Sequence, residues 1–465
     1  MAEQHTSTQG EFRIAIAGAG IGGLTAAIAL TRLLPSNVSV TIFEQATELK
    51  AVGASIGIGP NGLRSLYKLG VDPALIEEYA FRQPSGRPFV YLHWLTGEVL
   101  KETAHQTVKD PRDAMARFHR ADLQKLLLES LPAKVTLKLS KRVKSVDIQS
   151  PQEGGGVLLA FEDGTIFEAD LLVGADGIHS AVRKVFVPGH SLQWTGDILF
   201  RSTFDKALVE NIEGLPEDAV FHCGPNENFL FTSRLGTSGV VLCAQREHVF
   251  ARTRNADMPQ GKTQYTVVGQ TQSDPDDPEN PYRTAKWNTE GDVTMLRDLY
   301  KGWHPTVQNI LDATPSTRLY PNHLGTSLKS MVFESHVALI GDAGHTHGGA
   351  FAAGGSLAMN DAHALGLALA HVWPTEKNTK PSRRQLERAL ALFDGTRRPH
   401  VNKLIELVEI GLAARQAKLR DERKVEETDK ELRERISGLS DIAWLAEHDV
   451  EAAFWDFTQT EVAKL

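Results

Sequence analysis

The first strong pattern in the chain is an unbroken, mostly apolar run from Phe12 to Ala17 with no helical spacing. So short a run predicts a strand buried on both faces. A glycine cluster follows, and an apolar helical stretch then extends from Gly22 to Leu34, where Pro35-Ser36-Asn37 stops it. Val38 to Phe43 is a second buried run, ending at Glu44. Strand, glycine turn, helix and strand make one βαβ unit, and its right-handed crossover sets the two strands parallel. Ala121 to Leu131 predicts a helix, and Val135 to Ile148 is strand-like. After a turn at Glu153 to Gly156, Val157 to Phe161 and Thr165 to Phe167 predict a hairpin closed by Asp163-Gly164. Leu171 to Val173 is another short buried strand.

From about Asp197 the texture changes to alternating strands, at Val220 to His222, Phe229 to Thr232 and Val240 to Ala244. This predicts a separate, mostly antiparallel sheet. Asp274 to Pro281 is an acidic loop expected to be exposed, and helical texture returns at Thr294 to Trp303. Val337 to Ile340 is again strand-like, followed by a second glycine-rich segment and a helix from Ser356 to His371. The chain from Arg383 onward is charged and helical, and its stretch Lys418 to Arg435 mixes both signs as a solvated helix does.

The 465 residues suit two or three packed units. A net charge of −8 leaves no basic excess to neutralise phosphates, so nucleic acid is not an expected partner. Cys223 and Cys243 are the two cysteines, too few for a disulfide scaffold. Met1 to Gly10 lacks the apolar core of a signal peptide, and no stretch of 18 apolar residues suggests a membrane span. A cytoplasmic location is expected. The final Ala463-Lys464-Leu465 is close to a Ser-Lys-Leu peroxisomal address, although an ordinary C-terminus is the simpler reading.

Three motifs carry chemistry. The first is Gly18-Ala19-Gly20-Ile21-Gly22-Gly23. Gly18 allows a tight turn, Gly20 lets the backbone approach a pyrophosphate, and Gly23 lets the helix pack against the sheet. Glu44, 21 residues after Gly23, is placed to accept from ribose hydroxyls. Gly57-Ile58-Gly59-Pro60-Asn61-Gly62 matches the same letters, but no buried strand is expected to enter it and Pro60 spoils a phosphate turn. It is expected to be a loop, which leaves one dinucleotide fingerprint. The second motif is Asp170-Leu171-Leu172-Val173-Gly174-Ala175-Asp176-Gly177, with Ser180 and Arg183 at a helix start. The third is Gly341-Asp342-Ala343-Gly344-His345, with Gly348-Gly349 and Gly354-Gly355 ahead of a helix. Asp342 is well placed for the hydroxyls of an extended cofactor.

In this order the motifs resemble those of the group A flavoprotein aromatic monooxygenases, most closely the salicylate hydroxylase type, over Ile14 to Leu369. The run Trp444 to Val450 also resembles the tail of that subgroup. The resemblance implies an α/β fold: a Rossmann-like FAD-binding domain of the glutathione reductase type, a mostly antiparallel β-sheet substrate domain, and C-terminal helices. The divisions it implies are 11–190 and 326–375 for the two parts of the FAD-binding domain, 191–325 for the substrate sheet, and 376–465 for the helical region. FAD is the implied cofactor, with NADH or NADPH and O2 as co-substrates of a phenolic or hydroxybenzoate-type ring. Whether hydroxylation displaces a carboxylate is left open by the resemblance.

By the same resemblance, Gly18, Gly20, Gly23, Glu44, Arg120, Asp176, Asp342 and Gly355 contact FAD, and Gly57 lies beside the flavin. Arg201 matches an arginine near flavin and substrate, and His345 is expected to shape its loop. The chain departs from the pattern at Thr346 and Gly349, where relatives carry prolines, which predicts a more flexible loop. For the phenolic proton the candidates are His222 and His323, with Arg234 and Tyr320 as substrate contacts; either histidine could equally be a packed or surface residue. The 17 histidines show no metal-ligand spacing, so no metal is expected. A flavin epoxidase or other monooxygenase of secondary metabolism shares all three motifs; a catalytically silent FAD-fold binding protein is a further alternative, against which the intact flavin-side motif argues.

Overall fold

The computed structural model describes residues 10–49, 55–150, 155–237, 263–280, 282–373, 379–420, 426–440 and 442–462. The expected strand Val240 to Ala244, Cys243, Pro281 and the C-terminal Ala463-Lys464-Leu465 lie outside the described residues, as do Glu153 and Gly154 of the expected turn.

Phe12–Ala17 forms the centre of a six-stranded sheet. Ile14, Ala15 and Ile16 are fully buried, as expected of a strand covered on both faces. It pairs in parallel with Val38–Phe43 on one side and Leu171–Gly174 on the other. Val337–Leu339 continues beyond Leu171–Gly174, and Val135–Lys138 beyond Val38–Phe43. Strands far apart in sequence thus meet with their C-terminal ends together. Helix Ile21–Leu33 crosses from the first strand to the second and packs on helix Gly354–Val372. Small residues permit this closeness: a Cβ added at Gly366 would lie 2.8 Å from Leu33 Cδ1.

The second sheet has eight strands and is antiparallel apart from one pair. Its middle is Thr317–Gly325, Leu192–Asp205, Thr263–Thr271, Phe229–Thr237 and Val220–Cys223. It also recruits Val90–His93 and Val99–Glu102, which precede the span 191–325 to which the sequence reading confined it. Helices Val293–Leu299 and Pro305–Ala313 cover one face, burying Phe200, Leu230, Tyr265, Val267, Leu296 and Ile310.

Three local expectations are corrected. Val135 to Ile148 is two strands, because Ser140 turns the chain with φ 58° and Val143–Gln149 joins a separate three-stranded sheet. That sheet contains the expected hairpin, with Ile166 opposite Ala160. Gly57 to Gly62 is not a loop. Ser55–Ile58 is a strand paired with Ala116–His119, and Pro60 opens helix Pro60–Lys68, where a missing N–H is harmless. This strand lies outside the parallel sheet, so no second βαβ unit arises. Lys418 to Arg435 is not one helix: the long helix Arg383–Leu419 ends there and Asp429–Ser437 begins anew, behind a Thr428–Glu431 capping box. Among the described residues no helix is long and apolar enough to cross a membrane.

Candidate active site

The three motifs converge at the C-terminal ends of neighbouring parallel strands, where open α/β sheets bind ligands. Gly18 N–H donates to Phe43 O at 2.8 Å, and Ala175 N–H to Ala17 O at 2.9 Å. The glycines of the first turn have separable roles. Gly18 has φ +101°, and a Cβ there would stand 2.5 Å from Ala175 O. A Cβ at Gly23 would stand 2.0 Å from Gly18 O. At Gly20, the cap of the helix, an added Cβ meets nothing within 4 Å. That position is open, as backbone approach by a diphosphate requires. Glu44 closes the turn: its carboxylate accepts from Ala19 N–H at 2.8 Å and Ala46 N–H at 2.9 Å.

The second and third motifs are clipped together. Asp176 Oδ2 accepts from Ala181 N–H at 2.7 Å and Val182 N–H at 3.1 Å, capping the short helix Ala181–Phe186. Arg183, on that helix, donates through Nη1 to Asp342 O at 2.9 Å and Ala343 O at 3.1 Å, and through Nη2 to Ile178 O. The Asp342 side chain itself is exposed. Behind the third motif lies a buried ionic cluster that the sequence reading missed. Asp361, fully buried, accepts from Gly341 N–H at 2.9 Å, pairs with His345 Nε2 at 2.6 Å, and binds Arg397 Nε at 2.8 Å. The adjacent cations hold its carboxyl below the usual range despite burial. His345 is therefore a loop anchor.

The loop beyond it runs through left-handed conformations at Gly348, Gly349, Phe351 and Ala352. Gly349 has φ +67°, which proline cannot adopt, so the departure from the proline pattern is a change of backbone path. Gly355 packs against the strand Ser55–Ile58, where an added Cβ would lie 2.8 Å from Ile58 Cδ1. Gly57 faces the same loop, 3.8 Å from Ala352 Cβ by the same measure. Arg120 begins helix Arg120–Glu129 with an exposed side chain, and Gln124 one turn on donates to Ala19 O at 2.8 Å.

The eight-stranded sheet faces this assembly. Ser55 Oγ lies 3.3 Å from Thr266 Oγ1, which marks the side turned to the strand Ser55–Ile58. Strand alternation assigns the other residues. Arg201, Val268 and Phe231 are opposite one another in register and share the Thr266 side; Tyr320 does too, opposite Leu199. Arg201 Cζ lies 5.4 Å from the centre of the Tyr320 ring. Burial pulls the Arg201 pKa down, and the residue has no ion pair with any described residue. The Tyr320 hydroxyl donates to Asn288 Oδ1 at 2.7 Å.

The same alternation corrects two expectations. His222 is opposite Leu230 and turns to the helix-covered face, 3.4 Å from Thr232 Oγ1. Burial drives its pKa down to about 3. Arg234, opposite Tyr265, is on that face as well and lies 3.7 Å from Glu217. His323 follows Asn322, whose amide faces Gly348; its Nδ1 meets Pro321 O at 3.1 Å, and its charge acts on His179 of the second motif. Of the sheet candidates, Arg201 and Tyr320 are brought together on the side of the three motifs. Among the described residues no cluster of His, Cys, Asp or Glu could hold a metal ion.

Residues 11–276 and 281–382 match the FAD binding domain family. The chain belongs to that family. The turn at Gly20 and the exposed Asp342 at the strand ends fit its cofactor. Over 400 residues the chain is 28% identical to the 6-hydroxynicotinate 3-monooxygenase of Pseudomonas fluorescens, covering 84% of this chain and 89% of the relative. Over 395 residues it is 28% identical to a salicylate hydroxylase of Pseudomonas putida, covering 83% and 82%. The structure of a salicylate hydroxylase substrate complex matches with a TM-score of 0.72 at 20% identity, over 96% of this chain and 98% of that one. At that identity the likeness speaks for the fold. The chain is an FAD-dependent monooxygenase of mixed α/β architecture.

Proposed function

We propose that the protein hydroxylates a phenolic or hydroxybenzoate-type ring, taking one atom from O2 with NADH or NADPH as the electron donor. The overall balance is ring C–H, NAD(P)H, H⁺ and O2 giving ring C–OH, NAD(P)⁺ and water. Relatives named for hydroxynicotinate and salicylate support the class of ring. The observation that carries the reading is Arg201: a half-buried cation, without a carboxylate partner among the described residues, on the sheet face turned to the three motifs.

FAD, when bound, supplies hydride acceptance and oxygen activation. Gly18, Gly20, Gly23 and Glu44 would hold its adenosine diphosphate end, Arg120, Asp176 and Asp342 its middle, and Gly57 and Gly355 would border the ring. The protein's own part is to place the substrate ring, exclude water and favour the phenolate, which is the better nucleophile. Arg201 does the last: a cation in a dry site lowers the pKa of a neighbouring phenol. Tyr320 packs under Arg201 and orders it. The described residues contain one dinucleotide fingerprint, so a nicotinamide donor would have to bind at the FAD site's edge without a domain of its own. Hydroxybenzoates should stimulate aerobic NAD(P)H oxidation, with label from ¹⁸O2 in the product. Label only from water, or oxidation without oxygen insertion, would refute a monooxygenase.

A further inference from the structure

Strand Ala116–His119 holds a second arginine that neither the motifs nor the fold accounts for. Arg117 is 3% exposed and lies opposite Gly57 in register, so its side chain leaves the strand on the side of Gly57. It reaches the substrate-side face of the eight-stranded sheet: Cζ lies 5.1 Å from the Phe89 ring centre and 5.7 Å from that of Phe231. Nη2 donates to Pro88 O at 2.9 Å, whereas Nη1 is buried with no acceptor among the described residues. Among the described residues Asp218 is the one charge that acts on it appreciably, and Arg117 makes no ion pair with any of them. Burial pulls the pKa down to about 9, which leaves the group cationic at neutral pH.

Native interiors rarely retain a desolvated cation with an idle donor unless a partner completes it. The position says what that partner is. Phe231 and Arg201 lie in one row of the sheet with Val268 between them. Strand spacing sets their backbones roughly 10 Å apart, about the length of a benzene ring with a substituent at each end. Arg201 stands at one end of that row, and Arg117 stands over the other.

We propose that Arg117 determines specificity by receiving the anionic group of the substrate, so that the ring accepted is an aromatic carboxylate with its acid end at Phe89 and Phe231. This rests on the hydroxylase reading and adds the charge and orientation of the substrate. The phenyl faces give the ring apolar contact, and the guanidinium gives the carboxylate a charged donor.

The test uses the full-length, FAD-loaded protein and calorimetric titration with matched acids and amides: salicylate and salicylamide, 4-hydroxybenzoate and 4-hydroxybenzamide, 6-hydroxynicotinate and its amide. At least one acid should bind roughly tenfold or more tightly than its amide, the scale of a hydrogen bond to a charged group. Arg117→Met should bring that ratio close to one, and Arg117→Lys should retain part of it. Flavin absorbance after gel filtration checks that each variant is loaded. If Arg117→Met does not hold FAD, Arg117→Gln takes its place and the wild-type ratio still decides. Equal binding of acid and amide, a preference that survives in a loaded Arg117 variant, or no binding of any acid at 10 mM (an order-of-magnitude ceiling for a specific site) overturns the proposal. Hydroxylation of a neutral phenol without acid preference would sink this inference and spare the hydroxylase reading. Acid preference without oxygen insertion would do the reverse.

Discussion

Arg183 and Asp342 are 159 residues apart, yet Arg183 Nη1 donates to the Asp342 carbonyl at 2.9 Å. The same guanidinium binds the carbonyls of Ala343 and Ile178. One side chain therefore sets the second motif against the third. Arg183→Met should leave three carbonyls short of a donor. FAD affinity should fall by about 1.5–3 kcal/mol, roughly 10- to 100-fold, because hydrogen bonds to a charged group are on that scale. Fluorescence titration of the apoprotein with FAD reads this directly. Wild-type affinity in the variant would show that Asp342 is positioned by other contacts.

The three glycines of the first turn should fail in different ways. Gly18→Ala forces a side chain into φ +101° and against Ala175 O, and Gly23→Ala drives a Cβ into Gly18 O. Both should lower the melting temperature of the apoprotein by several degrees, as losses of about 1–3 kcal/mol do. Gly20→Ala meets nothing within 4 Å and should fold normally. Its deficit should appear in FAD affinity alone. A destabilised Gly20→Ala apoprotein would contradict this division.

His222→Ala should leave turnover within about twofold of wild type, since the residue faces the helices and not the motifs; a general base would give roughly 10²-fold or more. His222 also contributes to acid sensitivity. Burial lowers its pKa to about 3, and those of His347, His363 and His448 to about 4. Between these values and the unfolded value near 6.5, the unfolded chain binds protons that the folded chain does not. Stability therefore rises with pH through that window and is lost as pH falls, by up to about 1.4 kcal/mol per pH unit for each such histidine. Asp122, raised by burial to about 6, opposes this with a single proton. Urea midpoints measured from pH 7 to pH 4.5 should fall steeply, and less steeply in His222→Ala. A flat profile would mean that these rings are not neutral and buried in solution.

What could be seen in the sequence was what is contiguous. Phe12 to Glu44 contains a strand, its turn, its helix and the following strand, so pattern and spacing suffice. The pairing of Val220 with Val90 leaves no local trace, and for that reason the first two strands of the large sheet went unseen. The face taken by His222 depends on register, because a shift of one residue reverses every side chain. Arg117 was within reach: Ala116-Arg117-Phe118-His119 alternates, and Phe118 is fully buried, but the motif that marks this stretch begins only at His119-Arg120. The ion pair of Asp361 with Arg397 could not be inferred, since nothing in a helical stretch announces a charged residue that points inward.

That pair gives the last expectation. Asp361 and Arg397 are each fully buried, and Arg397 Nη1 and Nη2 have no acceptor among the described residues. Desolvating both charges offsets much of their attraction, so the pair itself adds little net stability. Removing one partner is different. Asp361→Asn or Asp361→Leu strands the Arg397 cation and frees both Gly341 N–H and His345, and should destabilise the fold by about 3–5 kcal/mol. Arg397→Met should be milder, because His345 still faces the carboxylate. The double variant Asp361→Leu, Arg397→Met should recover much of the fold stability in urea while FAD affinity stays low, since Gly341 N–H and His345 remain without their acceptor. The two measurements separate a fold-stabilising pair from a loop-positioning one. If the double variant regains stability and FAD affinity together, Asp361 does not position the Gly341–His345 turn.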